Sequence, residues 1–185
     1  MPFRGPSMPI RRLFVALAAA LALPSAPALA QEVYVGGSFH AVNLPTSLDN
    51  GEYGGHDVQF GIRSAPVEAL SVIGKPSVYA HGQVSLDRTT SLGAVGLSWK
   101  LGDKVYVRPG IGLALHSDRI QEFEGPLRVD LGSRVLFEPE LAVGTRISDR
   151  LSAELSWVHV SHATIFSGQN PGMDFLGARL VYKLN

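Results

Sequence analysis

Three polar side chains near the C-terminal end of the chain have the residue types of a hydrolytic triad. They are His159, Ser161 and Asp174, all within the segment WVHVSHATIFSGQNPGMD. An imidazole can take the proton of a serine hydroxyl, and a carboxylate can orient that imidazole. Together such groups carry out acyl transfer at an ester or amide, with no metal and no cofactor.

The spacing of these residues fits two adjacent strands of a β-hairpin. Residues two apart in a strand share a face, so His159 and Ser161 point the same way, with Cβ atoms roughly 6.6 Å apart. If Trp157 pairs with Leu176, His159 lies opposite Asp174, with Cβ atoms about 4.5–5.5 Å apart. The sequence therefore predicts a base and an acid that face each other across two strands, beside a serine.

Alternation of apolar and polar residues predicts the sheet that must hold this hairpin. After Gln31 no amphipathic helix of useful length appears, and apolar side chains recur at every second position in about eight segments of roughly ten residues. These segments cover residues 33–41, 58–63, 78–86, 95–101, 105–116, 134–146, 151–157 and 176–184.

One face of these segments carries repeated charges, which need partners wherever they are buried. The charges of this face are Arg63, Arg108, Arg134, Arg146 and Arg179 against Glu138, Glu140 and Glu154. Inside a narrow lumen they would pair with one another, while the apolar face would meet lipid. The predicted fold is therefore all-β, an eight-stranded antiparallel transmembrane β-barrel. By the same parity His159, Ser161 and Asp174 lie on the lipid-facing side, next to a predicted extracellular loop, 163–173.

Pro109 and Pro139 fall inside two of the predicted strands. Proline cannot donate to the hydrogen-bond ladder and normally occurs at sheet edges or bulges. Because a closed barrel has no edge, we expect a β-bulge at each proline.

The first thirty residues have the features of a secretory signal peptide. Arg11 and Arg12 precede an apolar run, and Ala28-Leu29-Ala30 is a small-x-small cleavage pattern. The predicted organisation is a signal peptide, 1–30, and an outer-membrane β-barrel, 31–185. The chain has no cysteine, which excludes a disulfide framework. The mature part has a net charge of about −3, which gives no case for a nucleic-acid partner.

The C-terminal motif resembles that of the PagL-type lipid A 3-O-deacylases. The matching residues are His159, Val160, Ser161, Ala163, Asn170, Gly172 and Asp174, and the size and strand pattern match over the whole mature chain. The resemblance implies an outer-membrane esterase of a Gram-negative bacterium that removes the 3-O-linked acyl chain of lipid A in lipopolysaccharide. It implies Ser161 as nucleophile, His159 as base and then acid, and an acidic orienter. The implied partners are lipid A and outer-membrane lipids, and the implied active site faces the outer leaflet. A homodimer is one possible oligomeric state.

Two positions depart from the family pattern. The residue after the serine is usually Asn, an oxyanion-hole group, whereas here it is His162, whose neutral imidazole can also donate a hydrogen bond. The family acid is usually Glu, whereas here it is Asp174, which is one methylene shorter. His159, His162 and Asp174 are also zinc-ligand types, but His162 has the opposite strand parity, so we expect no metal.

Two other interpretations stay open at this point. One is a non-enzymatic small outer-membrane barrel with a structural or adhesin-like role. The other is a soluble calycin-like carrier in which the apolar parity turns inward, because alternation alone fits both arrangements.

Overall fold

The computed structural model describes residues 30–47, 54–87, 89–117, 131, 133–162 and 172–184. The predicted signal peptide lies outside these residues apart from Ala30, with which the first strand begins, so the boundary after residue 30 stays a prediction. Ala163 and Asn170 of the family motif also lie outside them.

The described residues form one closed antiparallel sheet. Its strands are β1 Ala30–His40, β2 Gly55–Pro66, β3 Ser77–Ser85, β4 Leu92–Ser98, β5 Leu101–Gly102, β6 Val105–His116, β7 Val135–Arg146, β8 Leu151–Val160 and β9 Met173–Lys183. Pairing of β1 with β9 and of β4 with β6 closes the sheet. Because β4 and β5 pair with β6 in one continuous register, they are two parts of one barrel strand. The predicted eight-stranded antiparallel barrel is confirmed.

A short 3₁₀ helix, Glu68–Ile73, lies in the connection between β2 and β3. No helix within the described ranges combines the length and the apolar character needed to cross a bilayer.

The two side-chain parities separate as predicted. Apolar residues of one parity face outward, and Leu155 is 68% exposed. Residues of the other parity fill the lumen, and the neighbouring Glu154 is 1% exposed. This arrangement excludes the calycin-like carrier, in which the apolar residues would line the interior.

The lumen contains a network of ion pairs around Glu154. Arg179 Nε lies 2.8 Å and Arg63 Nη2 3.0 Å from Glu154 Oε2, while Arg108 Nε lies 3.4 Å from Oε1. Arg179 also bonds Glu140, and Arg108 and Arg63 bond Glu32. Because every one of these arginines is buried, their charges depend on these carboxylates for compensation.

Two of the arginines predicted for the lumen are not in it. Arg134 is exposed before β7 begins, and Arg146 pairs with the exposed Asp103 at 3.0 Å. Arg134 precedes the first residue of β7 and Arg146 is its last residue. At these two ends of the strand the side chains reach solvent, although their parity in the strand is inward. Glu138 is buried in the lumen as predicted, where it accepts a hydrogen bond from the Tyr79 hydroxyl.

An apolar cluster fills the opposite end of the interior from the Glu154 network. It includes Val158 and Val160 of β8 with Met173 and Phe175 of β9. These four side chains alternate with those of His159 and Asp174 along the same strands, so the strand ends that carry the site are packed from inside.

The bulges predicted at the two prolines are wrong. The register between β6 and β7 runs through Pro109 and Pro139 without a shift. Each proline instead lies at a break in the hydrogen-bond ladder on the side of its strand away from the β6–β7 pair. Pro109 lies beside the gap between β4 and β5. Regular pairing of β7 with β8 stops at Glu140↔Val158 and resumes in the same register at the bridge Phe137↔Ser161. Pro139 lies in the gap between these two pairs.

We predict that Glu154→Gln strongly destabilises the barrel. Loss of this carboxylate leaves buried guanidinium charge uncompensated, which typically costs about 3–5 kcal/mol. Urea unfolding in detergent micelles, followed by the heat-dependent gel mobility of folded barrel, measures the loss. Asp103→Asn is the matched control, because its ion pair is solvent-exposed and its removal should cost a small fraction of that. Equal costs for the two variants would contradict the network as the stabilising feature.

Candidate active site

The register of β8 and β9 brings the predicted base and acid together. Trp157 pairs with Leu176 and His159 with Asp174, which is the predicted register. His159 Nδ1 lies 3.0 Å from Asp174 Oδ1. The ring nitrogen Nε2 therefore points away from the carboxylate and is the nitrogen available to a nucleophile.

The carboxylate of Asp174 has outward strand parity and yet is completely buried. The indole Nε1–H of Trp157 donates to Oδ1 at 2.7 Å, and the hydroxyl of Thr46 donates to Oδ2 at 2.7 Å. The backbone N–H of Val42 donates to the Asp174 carbonyl at 2.9 Å. A buried carboxylate needs such donors, and hydrogen bonds to an ionised acceptor are the strong ones.

The imidazole of His159 is held between an aromatic ring and a glycine. The Trp157 ring stacks on it with centroids 6.1 Å apart and an interplanar angle of 24°. On another side, Gly172 has φ +61, and a Cβ added there would meet His159 Cε1 at 2.8 Å. Glycine is needed at 172 for both its backbone conformation and the close approach of the ring.

Ser161 lies one residue beyond the end of β8, on the face of His159. Its backbone forms an isolated bridge with Phe137, with Phe137 N donating to Ser161 O at 2.7 Å and Ser161 N to Phe137 O at 3.1 Å. Ser161 is half-buried, between the buried residues Val160 and His162. The bridge fixes the serine backbone at the place where the regular ladder has ended.

His159 and Asp174 are thus in contact, and strand parity places Ser161 on the same outward face at this end of the barrel, a face we call the patch. His162 is fully buried and follows Val158 and Val160 in parity, so it does not belong to the outward series. Sequence reasoning missed Thr46, which reaches Asp174 from the connection after β1, and it missed the hydrogen bond from Trp157 to Asp174. No local signal marks Thr46, since 128 residues separate it from its partner.

Within the described ranges, the group with metal-ligand spacing is elsewhere, in the lumen. Ligand atoms of His81, Glu138 and Glu140 lie within 4.8 Å of one another. Tyr34 bonds His81, Tyr79 donates to Glu138, and Arg179 donates to Glu140. These partners support a structural role for this group.

This chain is similar to a known protein family and to solved structures of outer membrane proteins. A family model described as lipid A 3-O-deacylase (PagL) matches residues 73–183, a range that includes all three patch residues. The crystal structure of the outer membrane enzyme PagL is similar with a TM-score of 0.54 and 14% identity, covering 82% of this chain and 99% of that chain. The backbone structure of the Yersinia pestis outer membrane protein Ail in a phospholipid bilayer nanodisc is similar with a TM-score of 0.45 and 8% identity. That match covers 82% of this chain and 99% of the Ail chain. None of the curated protein sequences compared is significantly similar.

We predict that Gly172→Ala slows the reaction of Ser161 with a fluorophosphonate probe by roughly 10²-fold, the effect of misplacing a reacting group by about 1 Å. The added methyl group would displace the His159 ring. Gly93→Ala is the control, because a Cβ there has its nearest atom at an ordinary 3.8 Å. Equal labelling rates for both variants would show that the position of the His159 ring does not depend on Gly172.

Proposed function

The chain belongs to the PagL family of lipid A 3-O-deacylases, and we propose that it cleaves the 3-O-linked acyl ester through a triad of Ser161, His159 and Asp174. The observation that carries this assignment is the 3.0 Å contact between His159 Nδ1 and the buried Asp174 carboxylate, on the face that also presents Ser161. An oriented imidazole next to a serine is the arrangement that activates a hydroxyl nucleophile.

The first half-reaction transfers the acyl group to the enzyme. Ser161 Oγ attacks the ester carbonyl carbon while His159 Nε2 takes the hydroxyl proton, and Asp174 stabilises the imidazolium that forms. When the tetrahedral intermediate collapses, the bond from carbon to the sugar oxygen breaks. His159 Nε2 returns the proton to that oxygen, so the sugar leaves as an alcohol.

The second half-reaction uses water. His159 Nε2 takes a proton from a water molecule whose oxygen attacks the acyl-serine carbonyl. Collapse releases the fatty acid and returns the proton to Ser161 Oγ. The triad is then in its starting state, and no other reactant is consumed.

The position of the patch supports entry of the substrate from the outer leaflet. β4–β5 connects to β6, and β7 to β8, by tight turns at the end of the barrel away from the patch. Outer-membrane barrels have their short turns on the periplasmic side. The patch would then lie at the extracellular rim, on the lipid-facing surface, at the depth of lipid A headgroups.

The oxyanion of each intermediate needs a hydrogen-bond donor, and we propose His162 for this role. It directly follows the nucleophile, where the family usually has Asn. Its strand parity is inward, so donation requires the chain to leave the strand path after Ser161. Regular β8 ends at Val160, which allows that change of direction.

We predict that Ser161→Ala abolishes release of the 3-hydroxy fatty acid from lipopolysaccharide, with a loss of at least about 10³-fold. Mass spectrometry of lipid A before and after incubation with the folded protein measures it. Ser71→Ala, in the exposed 3₁₀ helix, is the control and should match the unmodified protein. Deacylation that persists in Ser161→Ala, with heat-modifiable folding intact, would remove Ser161 from the mechanism.

For His162 we predict that His162→Phe lowers kcat by about 10²–10³, the effect of losing one oxyanion donor. His162→Asn keeps a side-chain N–H and should retain most of the activity. If His162→Phe is as active as the unmodified protein, the oxyanion donor is a different group.

A further inference from the structure

We propose that Thr46 and Trp157 are positioning residues for Asp174, so that the segment following β1 completes the catalytic site formed by β8 and β9. This inference rests on the proposed function, because it concerns how the acid of the triad is held.

The donors approach the Asp174 carboxylate from two sides. On Oδ1, the Trp157 indole N–H at 2.7 Å shares the oxygen with His159 Nδ1 at 3.0 Å. On Oδ2, the Thr46 hydroxyl donates at 2.7 Å. The hydroxyl of the adjacent Ser47 donates to the Val42 carbonyl at 3.3 Å, a bond within the segment that carries Thr46. With both oxygens bonded, rotation of the carboxylate about its bond to Cβ is restricted.

The length of the acid makes this restriction useful. A single methylene joins the aspartate carboxylate to the backbone, so the carboxylate has little reach to adjust its position against His159. The carboxylate is also desolvated, since Asp174 is completely buried. Fixed donors replace water here, keeping the carboxylate hydrogen-bonded in one orientation toward the imidazole.

The donors come from separate parts of the chain, which ties the site to the rest of the barrel. Trp157 is two residues before His159 on β8, and it also stacks on the His159 ring. Thr46 belongs to the segment that leaves β1, and this segment is attached to β9 by the bond from Val42 N to Asp174 O, 2.9 Å long. A displacement of either element would therefore misplace the acid and, through it, the base.

The test compares Thr46→Val, Thr46→Ser and Trp157→Phe for hydrolysis of purified lipopolysaccharide in detergent micelles. Thr46→Val and Trp157→Phe should each lower kcat by about tenfold or more, the value of a hydrogen bond to a charged group, with KM little changed. Thr46→Ser keeps the hydroxyl and should restore activity.

Matched controls remove the same groups far from Asp174. Trp99→Phe deletes an indole N–H that donates to the Ile73 carbonyl at 2.7 Å, and Thr145→Val deletes an exposed hydroxyl near the opposite end of β7. Both should leave kcat and KM unchanged. Heat-dependent gel mobility verifies that every variant is a folded barrel.

A double-mutant cycle separates positioning from general stabilisation. In an Asp174→Ala background, Thr46→Val should cause no further decrease in the rate of Ser161 labelling by a fluorophosphonate, because the group it positions is gone. A full additional decrease there, or unchanged kcat in both Thr46→Val and Trp157→Phe, would overturn the proposal. Loss of the proposed function would look different, because then the unmodified protein would release no fatty acid or Ser161→Ala would still release it.

Discussion

A buried carboxylate on the outer surface of a barrel must have its lone pairs satisfied by the protein, and this requirement organises the site. Asp174 has the parity of the exposed apolar residues, where water and lipid are the alternatives to protein contacts. Donors from Thr46, Trp157 and His159 meet the requirement. The same three bonds that satisfy the buried carboxylate also fix its orientation toward the His159 imidazole.

Packing inside the barrel holds the strand ends that carry His159 and Asp174 in place. The apolar cluster packs against the alternate residues of β8 and β9, while the charged network around Glu154 occupies the lumen beyond it. Pro139 adds a local feature, because in the register shared by β7 and β8 it falls opposite His159 and cannot donate a ladder bond there. Pairing to β7 is interrupted at His159 and resumes at Ser161, so His159 is held mainly by β9 and by side-chain contacts.

Properties with a period of two residues could be predicted from the sequence. Alternation predicted the eight-stranded barrel and its outward face, and it predicted that His159 would face Asp174 across a hairpin. Alternation does not indicate where a residue lies along the barrel axis. For this reason the prediction that Arg134 and Arg146 lie in the lumen was wrong. It also carries no information on contacts between distant segments. The bond from Thr46 to Asp174 depends on closure of the barrel between β1 and β9, and no spacing in the sequence indicates it.

The filled interior also explains why the chemistry would be located on the outside. A lumen closed by paired charges and apolar packing offers no path for a lipid with several acyl chains, whereas the outer surface of such a barrel is already in contact with acyl chains. A triad at the rim would receive an ester at the boundary between headgroups and hydrocarbon without extracting the lipid from its leaflet. The cost of this location is a carboxylate and an imidazole on a surface that favours apolar groups. The cost is limited to one strand end, where the donors are supplied by the hairpin itself and by the segment that leaves the first strand.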